Sequence, residues 1–480
     1  MLFDADQLTL LQHCQALLAQ GFSHLPPVES EPLSPEFREV LERTAHRLRE
    51  NSPYHHPFYL GQMLRPPHPV AALAASLTMA INPNNHALDG GRATSAMELE
   101  AVAQLAEMFG WQTPSDSRRS CFSHTPELPD RVNDSGDDLT EPAMLGHLCS
   151  GGTMANFEAL WIARETASRP GVAASAQAHY THERLSRVLQ VPFFEIPCDE
   201  RGKMRIPELE RMLNEHAIGT VVATLGTTGL GAVDPLDKIV ELQRRIPFRL
   251  HVDAAYGGYF SLAANLPPTT TSAFRTISSA DSIVVDPHKH GLQPYGCGCV
   301  LFRDRRVATI YQHQSPYTYF TSDDLHLGEI SLECSRAGAA AAALWATLQL
   351  FPLTTGGTFA RDLEKCRDAA MMLADWIVQQ PQFQLVTSPE LDLVVWQIRA
   401  RTSSESSALA RDFFERAARK ELHLALLTLP RELVESTQAV SVWDSETIVC
   451  LRACLMKPEH LDWMPELTRQ LGSVLKELAR

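Results

Sequence analysis

The sequence predicts an α/β protein: a large, mostly parallel sheet domain followed by a smaller α+β C-terminal domain. Three observations predict it. From Gly146 onward, short apolar runs alternate with amphipathic ones, the pattern of strands and helices in a parallel sheet covered on both faces. The chain has 480 residues, 44% of them hydrophobic, enough for one large α/β core plus smaller units. After Leu350 the regular alternation stops at the break Pro352 to Gly357.

Taken in order, Leu8 to Leu18 is an amphipathic helix, ended by Pro26-Pro27. Ser34 caps a second helix with Pro35 at its first position, running to about Glu50. Val70 to Met79 and Thr94 to Phe109 are helical, the latter stopped by Gly110. Thr113 to Glu141, rich in Pro, Ser and acidic residues, reads as a long surface loop. Strands follow at Val172 to Ala176, Pro192 to Ile196, Thr220 to Leu225, Phe248 to Val252, Ser282 to Val285 and Val300 to Phe302. Helices alternate with them at Ser150 to Arg164, His182 to Gln190, Ile206 to His216 and Pro235 to Arg245. The C-terminal part reads as helix (361–379), strands (383–386 and 391–398), helix (408–421), strand (447–452) and a last helix (460–478). The expected divisions are 1–85, a helical N-terminal segment; 86–350, the large domain; and 351–480, the small domain.

Composition excludes several functions. A formal net charge of −15 opposes nucleic-acid binding. No run approaches the length of a membrane span, and the N-terminus lacks the pattern of a signal peptide. The scattered cysteines lack zinc-site spacing and read as free thiols in a reducing cytoplasm, so no metal is expected.

Four stretches fall at strand ends, where α/β sheets bind ligands. Ser150-Gly-Gly-Thr153 opens a helix, whose N–H groups and dipole suit a phosphate; it matches neither a Walker A loop nor GxGxxG. His251-Val-Asp-Ala-Ala-Tyr-Gly-Gly258 delivers Asp253 to a strand end, followed by small residues that leave room for a flat ring. Thr224 to Gly231 runs from a strand into Gly and Thr, and His179 lies just past another strand. Pro287 stops the strand Ser282 to Val285, and Lys289 follows between two histidines. Taken singly, each has an ordinary structural reading: a surface lysine, a helix cap, a capping Asp, a structural His. Together they are an anion cradle, a carboxylate, an imidazole and a lysine. That set suits pyridoxal phosphate held by a lysine whose pKa is lowered by its surroundings.

Asp286-Pro-His-Lys289, His251-Val-Asp-Ala-Ala-Tyr256, Ala223-Thr-Leu-Gly-Thr-Thr228 and Gln177-Ala-His179 resemble the signatures of the group II pyridoxal-phosphate amino-acid decarboxylases. That family includes the aromatic-amino-acid, histidine, glutamate and cysteine-sulfinate enzymes. The resemblance covers most of the chain, from Ser52 to Pro458. It implies a fold-type I architecture with a seven-stranded cofactor domain, and a homodimer with active sites at the interface. Lys289 matches the Schiff-base lysine, Asp253 the pyridinium partner and His179 the ring-stacking histidine. Gly152, Thr153 and His288 match phosphate contacts, Thr227 a residue near the cofactor and Ala255 the small residue under the ring. Arg452 matches an arginine near the substrate carboxylate in the glutamate enzymes. Asp286 departs from the Asn of the aromatic enzymes. The family's loop tyrosine, credited with protonating the substrate carbon, corresponds to Tyr317 or Tyr319. Arg92, beside Glu98 in a substrate-side stretch, is a candidate partner for an acidic side chain or else a solvated Arg in a Gly turn. The implied reaction is α-decarboxylation of an L-amino acid, with transamination or oxidative deamination on the same fold as the alternative.

Overall fold

The computed structural model describes residues 3–26, 32–86, 88–112, 144–311 and 330–478. The loop expected over Thr113 to Glu141, and both Tyr317 and Tyr319, lie outside the described residues.

Seven strands form the large sheet: β1 (Leu145–Cys149), β2 (Gly171–Ser175), β3 (Phe193–Ile196), β4 (Ile218–Thr224), β5 (Arg249–Asp253), β6 (Ser282–Val285) and β7 (Gly298–Phe302). Their order is β1-β7-β6-β5-β4-β2-β3. All are parallel except β7, which runs against both neighbours. Strands β4 and β6 are buried at every residue, which is why they read as unbroken apolar runs rather than as alternation. Helix Gly152–Thr166 packs across β6 and β7. The sequence reading had no strand over Leu145–Cys149, because Gly146 and His147 interrupt its apolar run. Gly146 is needed there: a Cβ would come within 2.6 Å of Leu301 Cδ2 on β7.

The C-terminal part builds a second sheet from β8 (Phe383–Leu385), β9 (Leu393–Ile398), β11 (Ala425–Pro430) and β13 (Thr447–Cys454), in the antiparallel order β11-β13-β9-β8. Strands β10 (Ala400–Thr402) and β12 (Val440–Val442) pair beside it. Strand β11 had no counterpart in the sequence reading; it is an edge strand whose outer residues are exposed and whose last residue is proline. Helices Thr358–Val378, Ser403–Ala418 and His460–Leu478 cover this sheet around the fully buried Trp396. Leu60 joins that core, and its N–H donates to His423 O at 2.8 Å, so chain from the N-terminal part is built into the C-terminal unit. Helices Ala5–Gln20 and Pro35–Leu48 bury none of their residues.

The topology positions the site. Strands β1, β2, β4, β5 and β6 all point the same way, so the loops after them meet along one edge of the sheet.

Candidate active site

At that edge lies a cavity of about 450 Å³. Its lining takes Ser150 to Met154 from the loop after β1, His179 to Thr181 from the loop after β2, Thr224, Gly226 and Thr228 from β4 and its turn, Asp253, Ala255 and Tyr256 from β5, and Asp286, His288, Lys289 and Tyr295 from β6. A larger cavity of about 630 Å³ beside residues 384–390 has neither lysine nor histidine in its lining.

Asp253 is buried at the end of β5. Its Oδ2 lies 2.8 Å from His182 Nε2, and its Oδ1 accepts from the Ala255 N–H at 3.1 Å. The carboxylate can only accept, so Nε2 carries the proton. Burial alone would raise the carboxyl's pKa; the His182 hydrogen bond and charge, then Lys289, outweigh it and hold Asp253 well below the usual carboxylate range. Beneath this pair, His251 donates from Nε2 to Asn156 Oδ1 at 2.8 Å and accepts at Nδ1 from Ser282 Oγ at 2.9 Å. Burial, followed by the charge of His182, pushes His251 down to about 3, so it stays neutral and locks β5, β6 and helix Gly152–Thr166 together.

Lys289 Nζ lies 2.9 Å from Asp286 Oδ2. The sequence reading expected a lowered lysine pKa; the structure reverses that expectation. Burial pushes the ammonium down, but Asp286, and after it Asp253, overcome burial and leave Lys289 raised. Asp286 is therefore the counter-ion of the lysine, and its Oδ1 is a buried oxygen with no hydrogen bond among the described residues. His288 donates from Nδ1 to Cys297 O at 2.7 Å and lies against Tyr295, ring centroids 4.8 Å apart. His179 is half-buried, its Nδ1 2.6 Å from Thr181 Oγ1; burial lowers its pKa.

Helix Gly152–Thr166 opens into the cavity with no side chain capping its N-terminus. Its first-turn N–H groups are thus presented to a ligand, as anion sites require. A Cβ at Gly152 would come within 2.6 Å of Asp286 Oδ2, so the backbone there must stay bare. Gly226 takes φ +101 in the turn after β4 and would meet Gly257 N at 2.9 Å with a Cβ.

These groups fit pyridoxal phosphate. An uncapped helix N-terminus suits the phosphate, Asp253 a protonated ring nitrogen, Ala255 and His179 the two faces of a flat ring, and Lys289 its aldehyde. The buried hydroxyl of Thr224 and Oδ1 of Asp286, both in the lining and without a hydrogen-bond partner among the described residues, leave polar groups for a ligand to satisfy.

Of the sequence candidates, Lys289, Asp253, His179, Gly152, Thr153, Ala255 and His288 all line the cavity. Thr227 does not: it is fully buried, and its hydroxyl accepts from Ala232 N at 3.1 Å, because the turn at Gly226 points Thr228 toward the cavity instead. Arg452 stands behind the lining, donating to Thr228 O at 2.8 Å and Gly61 O at 3.4 Å. Arg92 is exposed and outside the lining. Glu98, its neighbour, is buried and bonds Arg336, Leu148 N and Asn85, which ties its helix to β1. Sequence reasoning missed His182, Asn156 and Tyr295. The available signal for His182 was its place at the start of the helix Thr181–Val188, three residues after His179. A separate buried group, His147, Cys149 and Glu158, is the described cluster with metal-ligand chemistry. It partners itself: His147 Nε2 is 3.0 Å from Glu158 Oε2, and its Nδ1 faces Leu148 O and Cys149 Sγ.

The sheet, the lysine and the phosphate cradle together define a fold-type I pyridoxal-phosphate enzyme. Residues 50–399 match the family described as the pyridoxal-dependent decarboxylase conserved domain, and the chain belongs to that family. It is a pyridoxal-phosphate-dependent carboxy-lyase. It is 28% identical over 476 residues to an L-tyrosine decarboxylase of Enterococcus faecium, covering 81% of this chain and 77% of that one. It is 26% identical over 419 residues to an aspartate 1-decarboxylase of Aliivibrio fischeri, covering 80% and 72%. Among solved structures, the fold matches Oryza sativa TDC with PLP and tryptamine (TM-score 0.73, 18% identity, 99% of each chain). It also matches Lactobacillus brevis glutamate decarboxylase (TM-score 0.72, 19% identity, 95% of each chain).

Proposed function

We propose that the protein removes the α-carboxylate of an L-amino acid as carbon dioxide and releases the amine, with an aromatic substrate of the L-tyrosine type. The observation that carries the reaction is the convergence of Lys289, Asp253 and His179 on one cavity that an uncapped helix N-terminus enters. Bound pyridoxal phosphate supplies an aldehyde that captures amines and a ring that takes up the electron pair left when carbon dioxide departs. The chain does the rest. The Gly152 and Thr153 amides and His288 hold the phosphate. Asp253, kept ionised by His182, holds a proton at the ring nitrogen. Lys289 Nζ anchors the cofactor and, when freed, moves protons within the cavity, with Asp286 as its counter-ion. Tyr317 or Tyr319 delivers the proton that replaces the carboxylate at Cα.

The aromatic reading rests on the lining: it contains Tyr180, Tyr256 and Tyr295 and, among the described residues, no arginine to meet a side-chain carboxylate. The L-tyrosine relative agrees with it; the aspartate relative makes L-aspartate the competing substrate. A homodimer is part of the reading, supported by the apolar Leu10, Leu17, Phe37 and Leu41 left exposed on the two N-terminal helices. A cytoplasmic location is also part of it, supported by the described cysteines all being free thiols. Among the described residues, no helix is long and apolar enough to cross a membrane.

The test is carbon dioxide release and product identity from L-tyrosine, L-phenylalanine, L-tryptophan, L-aspartate and L-glutamate. Tyramine from L-tyrosine, lost together with the visible absorbance in Lys289→Ala, is the expected outcome. A keto acid or aldehyde as product refutes decarboxylation to the amine. Turnover of L-aspartate alone refutes the aromatic reading.

A further inference from the structure

His290 and Asp392 lie outside the cavity, yet together they touch both loops that carry its chemistry. Asp392 immediately precedes β9 in the small domain, and its backbone carbonyl accepts from Leu455 N at 2.9 Å just beyond β13. Its side chain leaves that sheet and reaches the loops that follow β5 and β6 of the large one. Tyr256 OH donates to Asp392 Oδ1 at 2.7 Å. His290 Nε2 lies 3.2 Å from Asp392 Oδ2. Asp392 and His290 are fully buried, and Tyr256 nearly so. Apart from this contact, neither His290 ring nitrogen nor Asp392 Oδ2 has a polar partner among the described residues. Aromatic rings close the pocket: the His290 ring is edge-on to Tyr256 at 4.8 Å and to Phe260 at 5.0 Å.

The two partners of Asp392 are not placed at random. His290 adjoins Lys289, and Tyr256 lies three residues past Asp253 and itself lines the cavity. A carboxylate buried among apolar rings is costly unless both of its oxygens are engaged. Neither loop can shift without leaving one oxygen unpaired, so one side chain restrains both. We propose that Asp392 is a positioning residue. It clamps the Asp253 loop through Tyr256 and the Lys289 loop through His290, and so sets the spacing between the amine and the carboxylate across the cavity. Misplacing reacting groups by as little as 1 Å costs about a hundredfold in rate. The clamp is therefore a determinant of turnover although it touches no reacting atom. It also makes the small domain part of the site's geometry, since the restraint fails if that domain moves away. The inference rests on Lys289 carrying the cofactor.

The experiment compares purified cofactor-loaded wild type with Asp392→Asn, Tyr256→Phe and the double variant His290→Leu/Asp392→Asn. The double variant removes the imidazole and the carboxylate together and so leaves neither buried group facing an empty partner, which guards the fold should Asp392→Asn alone prove unstable. Three quantities are read: kcat and KM separately, the visible circular dichroism of the lysine-bound cofactor, and the thermal midpoint. The double variant is expected to hold a midpoint near wild type while kcat falls about tenfold or more, KM changes little, and the dichroic band changes as the cofactor's setting changes. Tyr256→Phe is expected to change the same band and lower kcat with KM largely kept. Combining Tyr256→Phe with Asp392→Asn should give less than the product of the two losses, because both break one clamp. A double variant with wild-type kcat and dichroic band overturns the proposal, as does a change confined to the midpoint. A wild-type protein with no visible band overturns the assignment of Lys289 and this inference with it. A normal wild-type band with unaltered variants overturns the inference alone.

Discussion

Replacing His182 by leucine tests the electrostatic frame of the site. His182 is fully buried, and its Nε2–H donates to Asp253 Oδ2 at 2.8 Å. Without the imidazole, the hydrogen bond that remains to Asp253 among the described residues is the one from the Ala255 N–H. Leaving a buried acceptor without its hydrogen-bond donor costs about 1–3 kcal/mol, and more when the acceptor is charged. Against a typical stability of about 5–15 kcal/mol, that is a large loss. The pH dependence has a definite sign. In wild type the folded Asp253 pKa lies below its unfolded value, so its contribution is fully present above the unfolded value of about 3.9 and is lost as pH falls through the folded one. In His182→Leu, burial dominates and the folded pKa rises above the unfolded one. The deficit relative to wild type is then largest near neutrality and shrinks as pH falls through the raised value. Urea unfolding of both cofactor-free proteins at about pH 7.5 and about pH 5 measures it. His182→Gln keeps a donor and should recover part of the loss. A loss under about 1 kcal/mol at neutral pH, or one of equal size at both pH values, refutes the reasoning and leaves only the packing change.

Gly152→Ala places a Cβ within 2.6 Å of Asp286 Oδ2 at the mouth of the helix. Titration of cofactor-free protein with pyridoxal phosphate should show affinity weakened by about tenfold or more, and unchanged affinity argues against the phosphate cradle. Asp286→Asn removes the counter-ion of Lys289, so the lysine pKa should fall. The pH at half-maximal rate of aldehyde capture by the cofactor-free protein then moves down, since the neutral amine is the reactive form. An unshifted profile would show that Asp286 does not govern Lys289.

Much of the fold was legible because its signals are local. Strands β4 and β6 are short, wholly buried, rich in Val and Ile and followed closely by Gly226 or Pro287, and the helices between them carry their own periodicity. Strands β1 and β11 were not legible. Gly146 and His147 hide the first, and its glycine is explained only by the close approach of Leu301 on β7. The second is an edge strand whose exposed residues break the apolar run. Within the site, the residues at strand ends were found because parallel strands deliver their following loops to one edge. The left-handed turn at Gly226, invisible in a Gly-Thr-Thr string, puts Thr228 in the lining and Thr227 behind it, bonded to Ala232 N.

The sequence by itself determined the sheet class and put Lys289, Asp253 and His179 just past strand ends, and the structure brings these three to one cavity. Each is a short pattern: a strand, its stop signal and the residue just past it. The tertiary structure alone decided the state of those groups. His182 and Asp253 are 71 residues apart, and Tyr256 and Asp392 are 136 apart. The pairing that lowers Asp253 joins a helix and a strand of the large domain, and the Asp392 contacts join that domain to the C-terminal one; both form only in the folded chain. Even Asp286 and Lys289, three residues apart, are a counter-ion pair because the fold brings the ammonium to 2.9 Å from that carboxylate, its nearest acidic partner among the described residues. A pKa depends on what surrounds a charge in three dimensions, and spacing along the chain does not report it.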